Sequence, residues 1–396
     1  MAVTSKGTAA GLVDWRTVER LTALIPAGPS ASRSARASSV AVLRRSALEA
    51  PAWVARITGL NRAAQQVAET TRVSVVDRAG LVRASTRALR GLMEQVPAPR
   101  ASEAVRLVGA AEVAGAMSVL ATRLLGQVVP AAQSEVGAGR AARERPGDVK
   151  PGVEGAGVGG WGDSASPHLL LVAPNVLAMR RQLDLDMLDL PAWVCLHEMT
   201  HAVQLAAAPW LGPYLSDSMR MVIGAVVEAV YGGPGGGGGA DGTGEQGLRR
   251  RPGRAARIAA RAGRGRVLEG LTNFKERSEV ASLAAALTFL EGHAEVVLDD
   301  VHPNRMPSVH RLRAVLSRSR AADAGIGPGP GLGSLLLHRL MGLEAKEAQY
   351  ADGTAFVRSV VARIGHEGLN VVWTDPALLP TPAEIARPDV WVRRVG

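Results

Sequence analysis

The stretch PAWVCLHEMTHAVQLAAAPW, residues 191–210, contains one copy of the motif H-E-x-x-H. Residues four apart on an α-helix lie on the same face, so His197 and His201 can direct two imidazole nitrogens at one metal ion. Glu198, beside the first histidine, can then reach a water that the metal activates. This spacing predicts a metal site on a helix, with Glu198 as the catalytic residue.

The local sequence also favours a helix at this place. Asp189 can cap the free N–H groups, Pro191 suits a first turn, and no glycine or further proline interrupts the run before Pro209. Apolar residues surround the histidines on nearly every side, which is typical of a helix buried in a protein interior. Burial of two histidines and a glutamate is costly unless something satisfies them. The alternative to a metal site is a pair of hydrogen-bonded core histidines beside a paired glutamate.

A second helix, predicted from Asn273 to about residue 301, carries the candidates for a third ligand. Its centre reads LTFLEGHAEVVLDD. Glu291 and Glu295 are four apart and share a face, whereas His293 points elsewhere, so the helix can present the two carboxylates or the histidine. We expect Glu291 to bind the metal and Glu295 to accept the free N–H of a ligating histidine. The alternatives are His293 as the ligand, or a structural role for both Glu291 and His293. Gly292 is consistent with a close approach between two backbones.

Several other side chains are weaker candidates. Tyr350, His310 or His366 can donate a hydrogen bond to the oxyanion of a hydrolytic intermediate, but no spacing supports any of them. The alternative is an ordinary, partly buried side chain. Cys195 is the single cysteine, so no intrachain disulfide can form, and its position turns it away from the metal face. We expect it to be a small buried hydrophobe.

Composition and charge narrow the class of protein. The chain has 396 residues and 47% hydrophobic content, enough for a real core. Aromatic residues make up only 3%, so a stacking platform for nucleic-acid bases is not expected. The formal charge of +10 is concentrated in eight arginines between Arg249 and Arg266. This run predicts a solvated insertion; the alternative is a contact with nucleic acid or an anionic membrane.

The order of segments predicts a mainly α protein of the α+β class, with few short strands. Residues 1–130 form a helical N-terminal region packed on the catalytic part, including helical patterns between residues 14 and 96 and a helix over 101–129. Residues 131–167 form a Gly- and Pro-rich loop. Residues 168–396 form the catalytic region, which opens with a strand at 168–173 and has a disordered Gly- and Arg-rich insertion at about 232–266.

Targeting features are not expected. The first residues, MAVTSKGTAAGLVDW, have no apolar core that resembles a signal peptide. No uninterrupted apolar run reaches the length of a membrane span; residues 113–122, for example, are bounded by Glu112 and Arg123. The sequence therefore predicts a cytoplasmic protein without a transmembrane segment.

Taken together, the motifs resemble a known family. HEMTH followed far downstream by EGHAE is similar to the glutamate-type zincins. More closely, the chain resembles bacterial zincin-like hydrolases, a zinc-dependent metalloprotease family of unknown function that is associated with deazaflavin coenzyme biosynthesis. The stretches that carry this likeness include VDWRTV, VVDRAGLVRAS, LLLVAPNVLAMRRQL, LPAWVCLHEMTHAVQ, LEGHAEVVLDDV and AKEAQYADGTAFVRSVV.

The resemblance implies a zincin-like metallopeptidase fold with Zn²⁺ as cofactor. By that resemblance His197, His201 and Glu291 are zinc ligands and Glu198 is the catalytic base. Glu295 is then the residue outside the ligand set that hydrogen-bonds to a ligating histidine. The expected activity is zinc-dependent hydrolysis of a peptide or small amide substrate. The alternative is a catalytically inactive scaffold or binding protein that is associated with deazaflavin coenzyme biosynthesis.

Overall fold

The computed structural model describes residues 7–129, 167–185, 187–231, 274–314 and 353–396. Helices dominate the N-terminal half of this described part. They are α1 (Trp15–Thr22), α2 (Arg33–Thr58), α3 (Asn61–Thr70), α4 (Arg78–Glu94) and α5 (Glu103–Arg123). Side chains of Asp14, Ser32, Asp77 and Ser102 cap four of these helices, which accounts for their starting points.

The second half continues with helices that surround the H-E-x-x-H segment. They are α6 (Ala173–Gln182), α7 (Asp189–Ala207), α8 (Leu211–Tyr231), α9 (Phe274–Asp299), α10 (Gly353–Leu369), α11 (Pro382–Ile385) and α12 (Pro388–Val395). A left-handed Gly365, with a φ of 69°, breaks the helical path inside α10. The predicted mainly α class with few short strands is confirmed.

Five short strands complete the described fold: β1 (Gly7–Thr8), β2 (Arg72–Val76), β3 (Pro97–Ala98), β4 (Gly126–Val129) and β5 (His168–Val172). Strands β1 and β3 pair with each other. The other three form a sheet in the order β2-β5-β4, in which β2 is parallel and β4 antiparallel to β5. The predicted strand at 168–173 is confirmed.

Two of these strands differ from the sequence prediction. Strand β2 lies inside residues 14–96, where we predicted helices, and β4 occupies the end of the helix predicted over 101–129. Both segments are short and end in valine pairs, whose β-branched side chains suit a strand. Their pairing with β5, of which residues 169–172 are fully buried, then overrides the helical pattern of the neighbouring residues.

Helix α7 lies at the centre of the largest core cluster. It packs against α2, α3 and α9, and also contacts β4 and β5. Leu190, Val194 and Val203 are completely buried in this cluster, together with Leu43 and Val54 of α2. Because α7 is apolar around most of its circumference, it has neighbours on all sides, and its polar residues are held in fixed positions.

The predicted close approach of backbones at Gly292 is confirmed. A Cβ atom at Gly292 would lie 2.2 Å from the carbonyl carbon of Gly353, and one at Gly353 would lie 2.0 Å from the carbonyl oxygen of Thr288. Helices α9 and α10 therefore cross with their backbones in contact. This crossing holds α9 in place at Gly292, the residue next to Glu291.

The C-terminal segment packs over α9 and α10. Trp373 is 3% exposed and Trp391 is completely buried. The indole N–H of Trp391 donates to the carbonyl of Leu378 at 2.8 Å, and the indole N–H of Trp210 donates to the carbonyl of Trp373 at 2.9 Å. The first bond lies within the C-terminal segment, and the second attaches that segment to Trp210, which follows α7.

Parts of the predicted organisation lie outside the described residues. They include nearly all of the loop predicted at 131–167, the insertion at about 232–266 with its arginine run, and Tyr350. The division into an N-terminal region and a catalytic region stays a prediction, although α2 and α3 do pack directly on α7.

Two described helices are long and apolar enough to span a membrane, judged by length and composition: α5 and residues 277–299 of α9. The sequence prediction found no such run. In the most apolar 18-residue window of each helix, 67% of the residues are buried in α9 and 28% in α5. Core helices pass the same test, and the cytoplasmic location stays a prediction.

Candidate metal centre

Helix α7 carries the two histidines, but its first turn differs from the prediction. Leu188 occupies the N-cap position and offers no side-chain hydrogen bond, while Asp189 is already helical. The Asp189 carboxylate instead accepts a 2.6 Å hydrogen bond from the backbone N–H of Ser308. Asp189 therefore connects the start of α7 to the segment that follows α9, and the predicted cap is wrong.

Three potential ligands converge between α7 and α9. The Nε2 atoms of His197 and His201 lie 3.3 Å apart. One carboxylate oxygen of Glu291 lies 3.4 Å from His197 Nε2, and the other lies 3.6 Å from His201 Nε2. These ligand atoms all lie within 4.8 Å of one another, as a single ion requires.

The spacing of the three groups fits zinc. Zinc–nitrogen bonds are about 2.0–2.1 Å long, so two nitrogens on a tetrahedral ion are separated by about 3.4 Å. The observed separation of 3.3 Å between His197 Nε2 and His201 Nε2 matches that value. Two histidines and one glutamate are also the protein ligands of known catalytic zinc sites, which keep a fourth position for water or substrate. The residues present therefore suit a catalytic zinc ion.

Burial divides the centre into a closed side and an open side. His197 is 1% exposed and Glu198 is 3% exposed. The side chains of His201 and Glu291 are 19% and 27% exposed. Among the described residues, the centre is therefore nearest to solvent on the side of His201 and Glu291.

Glu198 lies on the closed side, against the first residue of β4. A Cβ atom at Gly126 would lie 2.7 Å from Glu198 Cγ, so only glycine leaves room for this carboxylate. Burial raises the pKa of Glu198, while the nearby His197 and His201 act in the opposite direction. A raised pKa suits a carboxylate that must take up and release a proton near neutral pH.

Opposite charges control the protonation of the ligands in the metal-free protein. Burial alone would lower the pKa of His201, but the Glu291 carboxylate overcomes this effect and raises that pKa to about 9. Burial likewise opposes the charge on Glu291, yet the two histidines lower its pKa well below the usual value. Without metal, His201 and Glu291 therefore form an ion pair at neutral pH.

We expect zinc affinity to rise with pH because zinc must displace the proton from His201. Below a pKa of about 9, affinity should increase by about tenfold per pH unit, and it should level off above that value. The raised pKa of His201 also stabilises the metal-free fold. This contribution is fully present below pH 6.5 and is lost as the pH rises through about 9. Competition with a chelator of known pH dependence, from about pH 6.5 to 9.5, measures the affinity.

Glu291→Gln is the control for this pH dependence, because it removes the carboxylate that raises the pKa of His201. Its weaker zinc affinity should level off at a lower pH than that of the wild type. A wild-type affinity that does not change between about pH 7 and 9 would contradict the protonated state assigned to His201.

The structure separates the two alternatives for a third ligand. Glu291 faces both histidines, whereas His293 is fully buried outside the three-residue cluster and bonds to Gln204. Burial lowers the pKa of His293 to about 3, and neighbouring His366 and His201 add to this effect. His293 is therefore a neutral side chain behind the centre.

The other sequence candidates lie in different surroundings. Glu295 is partly buried one turn beyond Glu291, and its role as an outer partner stays a prediction. His366 bonds to the Asp300 carboxylate at 3.0 Å, and His310 is exposed. Cys195 is fully buried with a raised pKa, as expected for a small apolar side chain that takes no part in the centre.

Sequence reasoning missed Gln204. Its Oε1 atom lies 2.9 Å from His201 Nδ1, the ring nitrogen that points away from Glu291. Residues three apart on a helix are neighbours, so the pattern H-x-x-Q from His201 to Gln204 could have revealed it. By contrast, Nδ1 of His197 is buried and has no hydrogen-bond partner among the residues that the structure describes.

The centre has the features of metalloproteins with an H-E-x-x-H helix. They are two histidines one turn apart, a carboxylate from a second helix and a buried glutamate beside the first histidine. The family model described as zincin-like metallopeptidase matches residues 13–392, and the chain belongs to this family. The resemblance to zincin-like proteins drawn from the motifs is thus confirmed. The link to deazaflavin coenzyme biosynthesis stays a prediction.

One solved structure shares the fold. It is a crystal structure from Chloroflexus aurantiacus, described as a candidate hydrolase with a novel fold. It is 21% identical in sequence, with a TM-score of 0.55, and the match covers 96% of this chain and 98% of that chain. At this identity the likeness shows a common fold. No curated protein matches the sequence.

Proposed function

We propose that the protein is a zinc-dependent hydrolase that cleaves a peptide or small amide bond. The observation that carries this proposal is the convergence of His197, His201 and Glu291 beside the buried Glu198. Membership of the zincin-like metallopeptidase family supports the same class of reaction.

Each residue has a separate task in the proposed reaction. His197, His201 and Glu291 hold the metal. A zinc ion supplies a Lewis acid that polarises a carbonyl group and lowers the pKa of a water to about 7. Glu198 takes the proton from the attacking water and later passes it to the leaving nitrogen. The fixed position of Glu198 between His197 and Gly126 keeps its carboxylate aligned for both transfers.

The position of β4 supports an extended peptide as substrate. This strand begins at Gly126, directly against Glu198, and within the described residues it pairs only with β5. An extended peptide can add to such an edge through backbone hydrogen bonds. A substrate bound in this way would run past the proposed catalytic base.

The test of the proposal is metal-dependent hydrolysis by the full chain. Purified protein should contain zinc and cleave members of a peptide library. Chelation should abolish the cleavage and zinc should restore it. Equal cleavage by zinc-free and zinc-loaded protein, or no cleavage by either, would overturn the proposal.

Gly126→Ala should impair hydrolysis without removing zinc. The added methyl group would lie 2.7 Å from Glu198 Cγ and must displace the carboxylate. A misplacement of about 1 Å can cost about a hundredfold in rate, so we expect a loss of at least about tenfold in kcat/KM. Peptide turnover and elemental analysis measure the two properties.

The matched control is Gly115→Ala, since a Cβ atom at Gly115 meets no described residue within 4 Å. It should retain full activity, and it is the reference for stability because alanine favours the helix. Similar activity in the Gly126 and Gly115 variants would show that Glu198 does not depend on the space at Gly126.

A second function, a zincin-like scaffold or binding protein without catalysis, is favoured by the 3% exposure of Glu198. In that case the metal stabilises the fold, and its removal lowers the melting temperature while no peptide is cleaved in either form. The proposed role in deazaflavin coenzyme biosynthesis belongs to this alternative.

Contact with nucleic acid or an anionic membrane through Arg249–Arg266 is a further proposal, and deletion of that run tests it.

A further inference from the structure

Gln204 links the two helices that carry the proposed metal ligands. It is 1% exposed and lies on α7, three residues after His201. Its Nε2 atom lies 2.9 Å from the backbone carbonyl oxygen of Leu290 and 2.9 Å from Nδ1 of His293, both on α9. One amide group therefore contacts a proposed ligand on α7 and the residues on either side of Glu291 on α9.

The Leu290 carbonyl determines the orientation of this amide. A carbonyl oxygen only accepts hydrogen bonds, so the Gln204 atom beside it must be the NH₂ group. The oxygen of Gln204 then faces His201 Nδ1 and can only accept. His201 Nδ1 must therefore carry a proton, which leaves Nε2 with a free lone pair whenever His201 is neutral.

The same amide determines the tautomer of His293. One N–H of Gln204 donates to Leu290, so the other donates to His293 Nδ1, which must be unprotonated. The proton of His293 then lies on Nε2, which is buried and makes no hydrogen bond in the described structure. A buried polar atom without a partner is costly, and an apolar ring would avoid that cost. The feature that a histidine adds here is the acceptor for Gln204.

We propose that Gln204 and His293 are positioning residues of the metal centre. Gln204 holds His201 as the tautomer that presents Nε2 to the metal, and it locks α9 so that Glu291 faces the two histidines. His293 holds Gln204 in the required orientation. This inference rests on the proposed zinc site, but it makes its own predictions.

The main test compares zinc affinity in Gln204→Met and in a matched variant, Asn175→Leu. Asn175 is also a buried amide, 3% exposed, whose NH₂ group donates to the carbonyls of Ala121 and Leu124 away from the centre. Both variants should lose thermal stability because buried carbonyls lose their donors. Only Gln204→Met should lose zinc affinity, by about 10–100-fold in a chelator competition.

His293→Phe provides a second variant that keeps an aromatic ring in place. His293 stacks on Phe289 and meets Trp373 edge-on, so phenylalanine retains these ring contacts while it removes the acceptor. We expect little change in melting temperature and a fall in zinc affinity of about three- to tenfold. A merely structural role for His293 predicts a change in stability with unchanged affinity.

A measurement on the wild type does not depend on how the variants fold. Nitrogen-15 spectra of labelled histidine rings should show His293 with its proton on Nε2, and zinc-loaded His201 with its proton on Nδ1. The opposite tautomer at His293, or wild-type zinc affinity in Gln204→Met, would overturn the inference while the zinc site stands. Failure of the wild type to bind zinc would instead remove the proposed function itself.

Discussion

Glu198→Gln should abolish hydrolysis while the protein still binds zinc. The amide keeps the size of the side chain but cannot accept the proton of the attacking water, so we expect kcat/KM to fall by about 10²–10⁴-fold. Zinc content should not change, because His197, His201 and Glu291 form the cluster without Glu198. Since burial disfavours the charged form of Glu198, the neutral glutamine should leave the melting temperature equal or higher.

The experiment combines peptide turnover, elemental analysis and thermal unfolding of the same preparations. Glu94→Gln is the matched control, because this exposed glutamate pairs with Arg90 on the surface of α4, away from the metal centre. It should behave as the wild type in all three measurements. Wild-type turnover by Glu198→Gln, on a substrate whose cleavage requires zinc, would remove Glu198 from the mechanism.

The sequence was most informative where one physical requirement controlled several residues. The H-E-x-x-H spacing placed His197 and His201 on one face of a buried helix, and the structure shows both there. The four-residue spacing of Glu291 and Glu295 predicted that these two carboxylates share one face of the helix and that His293 lies on another. In the structure, His293 lies outside the ligand cluster. Gly292 predicted a close backbone contact, which the crossing with Gly353 provides.

The features that sequence reasoning missed depend on contacts between distant segments. Strand β4 forms because β5, some forty residues later, pairs with it, and no local pattern reports such a partner. Gly126 appeared ordinary in the sequence, but the position of Glu198 explains why no side chain fits there. The tasks of Gln204 and Asp189 likewise depend on Leu290 and Ser308, which lie about a hundred residues away.

Glu291→Ala should cause the largest loss of zinc affinity among single changes on α9. It removes one of the three proposed ligands, so the loss should exceed the 10–100-fold that accompanies removal of a residue that only hydrogen-bonds to a ligand.

Glu295→Ala tests the predicted hydrogen bond from Glu295 to a ligating histidine. Among the described residues, His197 Nδ1 is buried without a hydrogen bond, and Glu295 lies one turn beyond Glu291. If Glu295 supports that nitrogen in the zinc-loaded protein, its removal should cost about 10–100-fold.

Chelator competition on the metal-free proteins measures both losses, with circular dichroism to verify that each variant is folded. Glu367→Ala, an exposed change on α10, is the control and should bind zinc as the wild type does. Glu291→Gln separates charge from ligation: it keeps one side-chain oxygen near His197 and His201, so its affinity should lie between those of Glu291→Ala and the wild type. In the structure Glu291 is the carboxylate that faces both histidines. Equal zinc affinity in the wild type and Glu291→Ala would show that Glu291 is not a ligand and that another residue completes the site.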